Sequence, residues 1–393
     1  MKKTLVALAA LAATSAFAQS SVQLDGNVDA GYQSVNYKGN SVTGVAGNGS
    51  STSQLNVRGN EDLGGGLRAT FRVETDWNMV SNLANTGTST GVNIKSPSDS
   101  INGSGGTFGN GEVRLGLESA TYGQIHFGAV NYNTLGTFLT GQPFGTAIGS
   151  GFRTMYINDA QGTSQVRAEN AVKYVTPTFS GFQGTLYKSN KQDKATKVAF
   201  DAKSVNNLNT QPNAFSTAVG AYDQVGTQEL GLNYANGPWA ASYSALKQDF
   251  VGISAVNASA GAAGTAVYKV NTLAGAYTMG NAKFMALNQS NTTDTGSVKN
   301  SATTLSATYT LGQTVLMAQT GSLKSSAGAS DGKKSTFTGF GADYKLSKMS
   351  ALYFRAESVN DEAGAMNAAL TPAAIKGTDT KFARTALGLR IGF

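Results

Sequence analysis

The sequence predicts an all-β protein, a 16-stranded antiparallel transmembrane β-barrel, on three observations. Segments of alternating apolar and polar residues recur along almost the whole chain, the period of strands with two unlike faces. The connections between them alternate short and long, the wiring of an up-and-down barrel. In the last segment Leu387, Leu389, Ile391 and Phe393 fall on one face, and Ala386, Gly388, Arg390 and Gly392 on the other. The first face suits lipid and the second a watery lumen, with Phe393 as an aromatic at the membrane interface.

The N-terminal end sets the compartment. Lys2 and Lys3 precede an apolar run from Leu5 to Ala13, and Ala16-Phe17-Ala18 follows. A charged start, an apolar core and an A-x-A site read as a signal peptide over residues 1–18. The apolar run falls short of the ~20 residues of a spanning helix. The barrel domain is expected over residues 19–393.

Composition agrees. The 48 glycines are about 12% of the chain against a usual ~7%, and charged residues are 13% against ~25%. With only 6 prolines and no cysteine, the glycines suit tight turns, and no disulfide scaffold is present. Mean hydropathy is −0.18. Net charge is +7, of which Lys2 and Lys3 carry two, leaving +5. It is spread out, with no basic cluster for nucleic acid.

In chain order, Val22, Leu24, Val28 and Tyr32 alternate with Gln23, Asp25, Asp29 and Gln33. Leu55 and Val57 alternate with Gln54, Asn56 and Arg58, before the turn Glu61–Gly66. Leu67, Ala69, Phe71 and Val73 then oppose Arg68, Thr70, Arg72 and Glu74, a set that needs a wet face. Val113, Leu115 and Leu117 oppose Arg114 and Glu118; Val172 and Tyr174 oppose Arg167, Glu169 and Lys173. Leu230, Leu232 and Tyr234 oppose Glu229 and Asn233; Leu305, Tyr309 and Leu311 oppose Thr304, Ser306 and Thr308. Phe340 and Tyr344 oppose Gly341 and Asp343; Leu352 and Phe354 oppose Arg355 and Glu357. Several strands are ambiguous, notably around Phe182–Lys188 and Val315–Gln319.

Short connections fall at Glu61–Gly66, Ala120–Gly123, Pro177–Gly181, Asn236–Pro238, Gly280–Asn281, Gly312–Gln313 and Ser347–Lys348. Long polar ones fall at Lys38–Ser51, Ser81–Gly106, Asn131–Val166, Lys191–Thr217, Asp249–Thr265, Ser290–Asn300, Ser325–Lys334 and Asp361–Lys381. Seven short and eight long connections imply about 16 strands with both termini on the short-turn side. The first strand then pairs with the last, and no unpaired edge faces hydrocarbon.

Four segments carry a family resemblance: Ser21–Leu24 with Val28–Gly31, Arg58–Leu67, Asn170–Tyr174 with Pro177–Phe182, and Tyr344–Lys348 with Gly388–Phe393. In these the chain resembles the general porins of beta-proteobacteria, the neisserial and Burkholderia-type Gram-negative porin family. The resemblance implies a homotrimeric 16-stranded pore, narrowed by a third extracellular loop folded inward. That loop would be Asn131–Val166, with its bend at Pro143, Phe144 and Gly145. The chain departs from the family pattern at Asp25, where Tyr is frequent, and at Ala129, where Arg usually follows the glycine. Both bear on the charge at the constriction.

The candidate pore lining is the charged inward face. Arg58, Arg68, Arg72, Arg114 and Lys173 form a basic wall; Glu74, Glu118 and Glu169 offset part of it, and Asp159 in the long loop is placed to face it. Fixed guanidiniums in a narrow lumen concentrate anions and repel cations. His126, the sole histidine, lies on the polar face, with no G-x-S-x-G and no Cys or His cluster around which to build a catalytic or metal site. The Gly-rich stretch Gly103–Gly111 lacks the strand–helix setting of a phosphate loop and reads as a loop.

The expectation is therefore a non-enzymatic diffusion pore of the Gram-negative outer membrane, without cofactor, passing small hydrophilic solutes and ions with a preference for anions. The alternative is a surface adhesin or receptor that uses its long loops and keeps the barrel as an anchor.

Overall fold

The computed structural model describes residues 20–37, 40–77, 108–152, 166–189, 224–254, 263–294, 296, 298–327, 331–363 and 380–393. The expected signal peptide, Asp159 and the loops Ser81–Gly106 and Lys191–Thr217 lie outside them.

Among the described residues seventeen strands form one antiparallel sheet. They are β1 (Ser21–Tyr37), β2 (Asn40–Gly47), β3 (Gln54–Gly64), β4 (Leu67–Asp76), β5 (Val113–Ser119) and β6 (Gly123–Asn131). After the helix α1 (Asn133–Thr140) come β7 (Arg167–Val175), β8 (Phe182–Ser189), β9 (Gln224–Asn236), β10 (Trp239–Ser254), β11 (Ala263–Met279) and β12 (Ala282–Thr293). The chain ends with β13 (Lys299–Leu311), β14 (Thr314–Ser325), β15 (Lys334–Lys345), β16 (Ser350–Asp361) and β17 (Lys381–Gly392).

Seventeen segments make sixteen staves. β2 pairs with residues 30–37 of β1 and β3 with residues 21–27. The two are halves of one stave, broken at residues 48–53. Each later strand pairs with its successor, and β17 returns to β1 from Asn27↔Gly392 to Tyr37↔Phe382. Two backbone hydrogen bonds of 3.0 Å between Gly26 and Phe393 complete the seam. The barrel is closed, so its backbone leaves no ladder edge to lipid.

The faces follow the alternation. Leu230, Leu273, Leu305, Phe340, Phe354 and Leu387 are exposed on the outside, as a surface solvated by acyl chains requires. Between them Thr227, Gln248, Thr272, Gln289, Gln319 and Arg355 are buried on the other face. Aromatic residues gather at the short-turn end, where Trp239 meets Tyr277 at 4.2 Å between ring centroids and Phe182 meets Tyr234 at 4.5 Å. Amphipathic rings of this kind sit at headgroup level.

The short turns are as expected. In the two-residue turns Gly237, Gly280 and Gly312 each take the first central position with φ 55–58°. That is the type II′ geometry that matches strand twist and favours glycine. The ambiguous segments around Phe182–Lys188 and Val315–Gln319 are strands, β8 and β14.

The expected loop Lys38–Ser51 is mostly strand, because β2 continues the β1 hairpin. Its Ser41, Thr43 and Val45 are all solvent-exposed or half-exposed. That outward row is mostly polar, while Ala46 on the other face is buried, as are Val35 and Gln33 of β1, so the strand is two-faced in the structure without an apolar–polar alternation in its sequence. Likewise β12 and β13 extend to Thr293 and from Lys299, leaving a tight connection in place of Ser290–Asn300.

Candidate functional site

The charged wall begins with strand register. Arg58 lies directly opposite Arg72, and Arg72 opposite Arg114, so three guanidiniums cross β3, β4 and β5 in one row. Like charges directly opposite one another destabilise a sheet, and carboxylates are interleaved to offset them. Asp25 of β1 pairs with Arg58 at 2.9 Å. Arg72 pairs with Glu74, and at 2.9 Å with Glu112. Arg114 sits 3.5 Å from Glu112 and 3.6 Å from Glu118, and Arg68 3.5 Å from Glu118. Arg167 reaches Glu74 at 3.8 Å and Asp76 at 3.9 Å.

Glu112 lies just outside β5. Burial alone would raise its carboxyl, but the Asn131 amide and the Arg114 and Arg72 guanidiniums outweigh that and hold it below the ordinary carboxylate value. Lys173 donates to the Asn131 carbonyl at 2.9 Å and takes no carboxylate in an ion pair among the described residues.

In every one of these pairs the cation is the more exposed partner. Arg68 is 56% exposed against 16% for Glu118. The guanidiniums therefore stand nearer the open side of the wall than the carboxylates do.

The opposite side is built from the segment after β6. Tyr132 supplies no side-chain cap to α1. Glu229 of β9 does that work instead, accepting from the Asn133 and Thr134 amides, the Thr134 hydroxyl and the Ser244 hydroxyl. A buried carboxylate at a helix N-terminus is favoured by the amide dipoles. Thr137 bonds Ser242 of β10 at 2.6 Å.

The chain then runs along the later staves. Ser306 of β13 donates to the Gly141 carbonyl, Gln319 of β14 to that of Ser150, and the Gly149 amide to Glu357 of β16. At Gly339 of β15 any Cβ would strike the Gly149 carbonyl, so the close approach requires glycine there. Pro143, Phe144 and Gly145 form a tight bend. Gln142 bonds both the Phe144 amide and the Gly145 carbonyl, and Gly145 has φ 63°. The Phe144 ring is buried, 5.8 Å from the Arg355 guanidinium.

A second charged network, which sequence reading missed, joins the last staves to the broken one. Arg355 pairs with Asp343 at 2.7 Å and Arg384 with Glu357 at 2.8 Å. Arg355 and Arg390 both donate to the Ser50 hydroxyl at 3.2 Å. The Asp29 carboxylate accepts from the Gly49, Ser50 and Ser51 amides and from the Tyr353 hydroxyl. The available signal was alternation: Arg355 and Glu357 share a face with buried Tyr353. What the sequence lacks is the register that sets Arg384 opposite Glu357.

A cavity of about 330 Å³ lies between the two sides, bounded by Arg72, Glu74, Asp76 and Arg167 on one and Leu135, Leu139 and Phe152 on the other. Of the sequence candidates, Arg58, Arg68, Arg72, Arg114, Glu74 and Glu118 form one network, with Lys173 beside it. Glu169 stands apart. It is exposed at the β-bulge where Asn170 takes φ 52°, and it joins no ion pair among the described residues. A bulge shifts parity by one, which alternation counting cannot anticipate. His126 is buried with its Nε2 3.1 Å from Glu118.

Known proteins give the same picture. The Gram-negative porin family model matches residues 4–364. Outer membrane porin protein 32 of Delftia acidovorans is 34% identical over 255 residues, which are 63% of this chain and 60% of that relative. The chain thus matches about three-fifths of that relative's length. The solved anion-selective porin from Comamonas acidovorans has a TM-score of 0.69 at 22% identity, over 95% of this chain and 100% of that one. OmpT of Vibrio cholerae in its trimer form has a TM-score of 0.62 at 14% identity, over 95% and 99%. These last two show shared fold. With a closed barrel of sixteen staves, a lipid-facing exterior and a family match over most of its length, the chain belongs to the Gram-negative porins of the outer membrane.

Proposed function

We propose that the protein is a general diffusion pore, passing small hydrophilic solutes and ions down their gradients with a preference for anions. The observation that carries the preference is the Arg58–Arg72–Arg114 row. Three cations directly opposite one another oppose sheet stability, and their greater exposure than their carboxylates turns the wall's field toward the lumen. The fold relative described as anion-selective agrees with this reading.

The segment Asn131–Phe152 is the constricting element: its hydrogen bonds to inward-facing Ser242, Ser306, Gln319 and Glu357 support an inward fold. The working form is a homotrimer, in line with the trimer form of the Vibrio cholerae relative. No catalytic role is proposed, and residues 1–18 serve as the export signal.

The test is the reversal potential of purified protein in a planar bilayer under a salt gradient. An anion-directed potential that falls in Arg68→Ser and Arg58→Ser supports the wall as the filter. A cation-directed potential, or one unmoved by both substitutions, refutes it.

A further inference from the structure

The two sides of the cavity differ in kind. From Tyr132 to Phe152 the chain carries no charged residue, and Leu135 and Leu139 of α1 face the cavity. Across it stand two cations and two anions, Arg72 and Arg167 with Glu74 and Asp76. Arg167 is held through Nε to Asn131 and through Nη1 to the Asn110 carbonyl, while its Nη2 makes only long pairs, at 3.8 and 3.9 Å, and is the atom left to meet a solute carboxylate. Gln54 holds Glu74 and Asp76 side by side, its amide donating at 3.1 and 2.9 Å. The wall therefore offers carboxylates beside its more exposed guanidiniums, and among the described residues the opposite lip carries no charge.

We infer that this cavity favours zwitterions bearing an apolar side chain, the chemical class of the aliphatic α-amino acids. The inference rests on the diffusion-pore reading above. The carboxylate of such a solute meets Arg167 and Arg72, its ammonium meets Glu74 and Asp76, and its side chain lies against Leu135 and Leu139. A neutral sugar of similar size gains from neither charge nor lip. A simple anion gains from the arginines, as the pore's anion preference requires, but leaves the carboxylates and the apolar lip unused. The advantage has to be small, because a pore solute must leave as readily as it enters.

The test compares L-valine with L-arabinose in proteoliposome swelling, with wild type and the Leu135→Ser/Leu139→Ser double variant. The expected result is valine entry at least about threefold faster than arabinose in wild type, falling toward parity in the double variant. Reading the ratio within each preparation cancels differences in insertion. Arabinose entry with a ratio near one in wild type overturns the inference and leaves the pore intact. A ratio that persists in the variant removes the site from the α1 lip and overturns it as well. Entry of neither solute overturns the pore reading and the inference together.

Discussion

Replacing Glu229 by Ala should release α1 from the barrel wall. The side chain is buried and takes four donors: the Asn133 and Thr134 amides and the Thr134 and Ser244 hydroxyls. Hydrogen bonds to a charged group contribute ~1.5–3 kcal/mol each, but burying the carboxylate costs several kcal/mol and offsets much of their sum. With two helix-start amides left uncapped, the net loss is about 3 kcal/mol. That corresponds to roughly a 150-fold rise in the undocked fraction. Hydrogen exchange of a peptide covering 133–141 reads it directly, and the variant's amides should exchange about 100-fold faster. Glu229→Gln keeps one acceptor oxygen and should fall between the two. Exchange in Glu229→Ala within about threefold of wild type would refute the reasoning, because α1 would then be held by something other than this carboxylate.

Other expectations are as direct. Asp25→Asn removes the partner of Arg58 at 2.9 Å, and the anion-to-cation permeability ratio from reversal potentials should rise. Arg355→Met leaves the Asp343 carboxylate only its long 3.8 Å pair with Arg390 and removes the cation beside Phe144. A cost of about 3–5 kcal/mol should appear as a lower unfolding temperature in detergent. Gly26→Val would drive a side chain into the Gln54 carbonyl and the Phe393 ring, and the yield of assembled barrel, read by heat-modifiable migration on gels, should collapse.

Much of the barrel was legible because lipid and lumen impose opposite demands on successive residues. Leu305, Tyr309 and Leu311 against Thr304, Ser306 and Thr308 leave one reading of β13, and the glycine-led turns fix where each strand reverses. Legibility failed where that contrast ends. On the β1–β2 hairpin the outward row carries Ser41 and Thr43, so Asn40–Gly47 looked like a loop although Val35 and Ala46 are buried on its other face. At Asn170 one extra residue breaks the parity that had placed Glu169 inward.

The site was less legible than the fold for a related reason. Single-strand alternation shows that Arg58, Arg72 and Arg114 share a face, but only register sets them in a row. Glu112 lies before its strand, and Arg384 is known as a partner of Glu357 only once β16 and β17 are aligned. Of the carboxylates that temper the basic wall, Glu74 and Glu118 were therefore legible while Glu112 stayed hidden. Asp25, visible in the sequence as a departure from the family pattern, turns out to be the counter-charge of Arg58.

The central claim is that the closed barrel encloses a continuous water-filled path. Single-channel recording of the purified protein in planar bilayers, across a series of symmetric salt concentrations, tests it most directly. The account predicts discrete conductance steps whose size rises in proportion to the conductivity of the bathing solution. Inserted barrels that give no steps would contradict it and shift the weight to a surface receptor or adhesin.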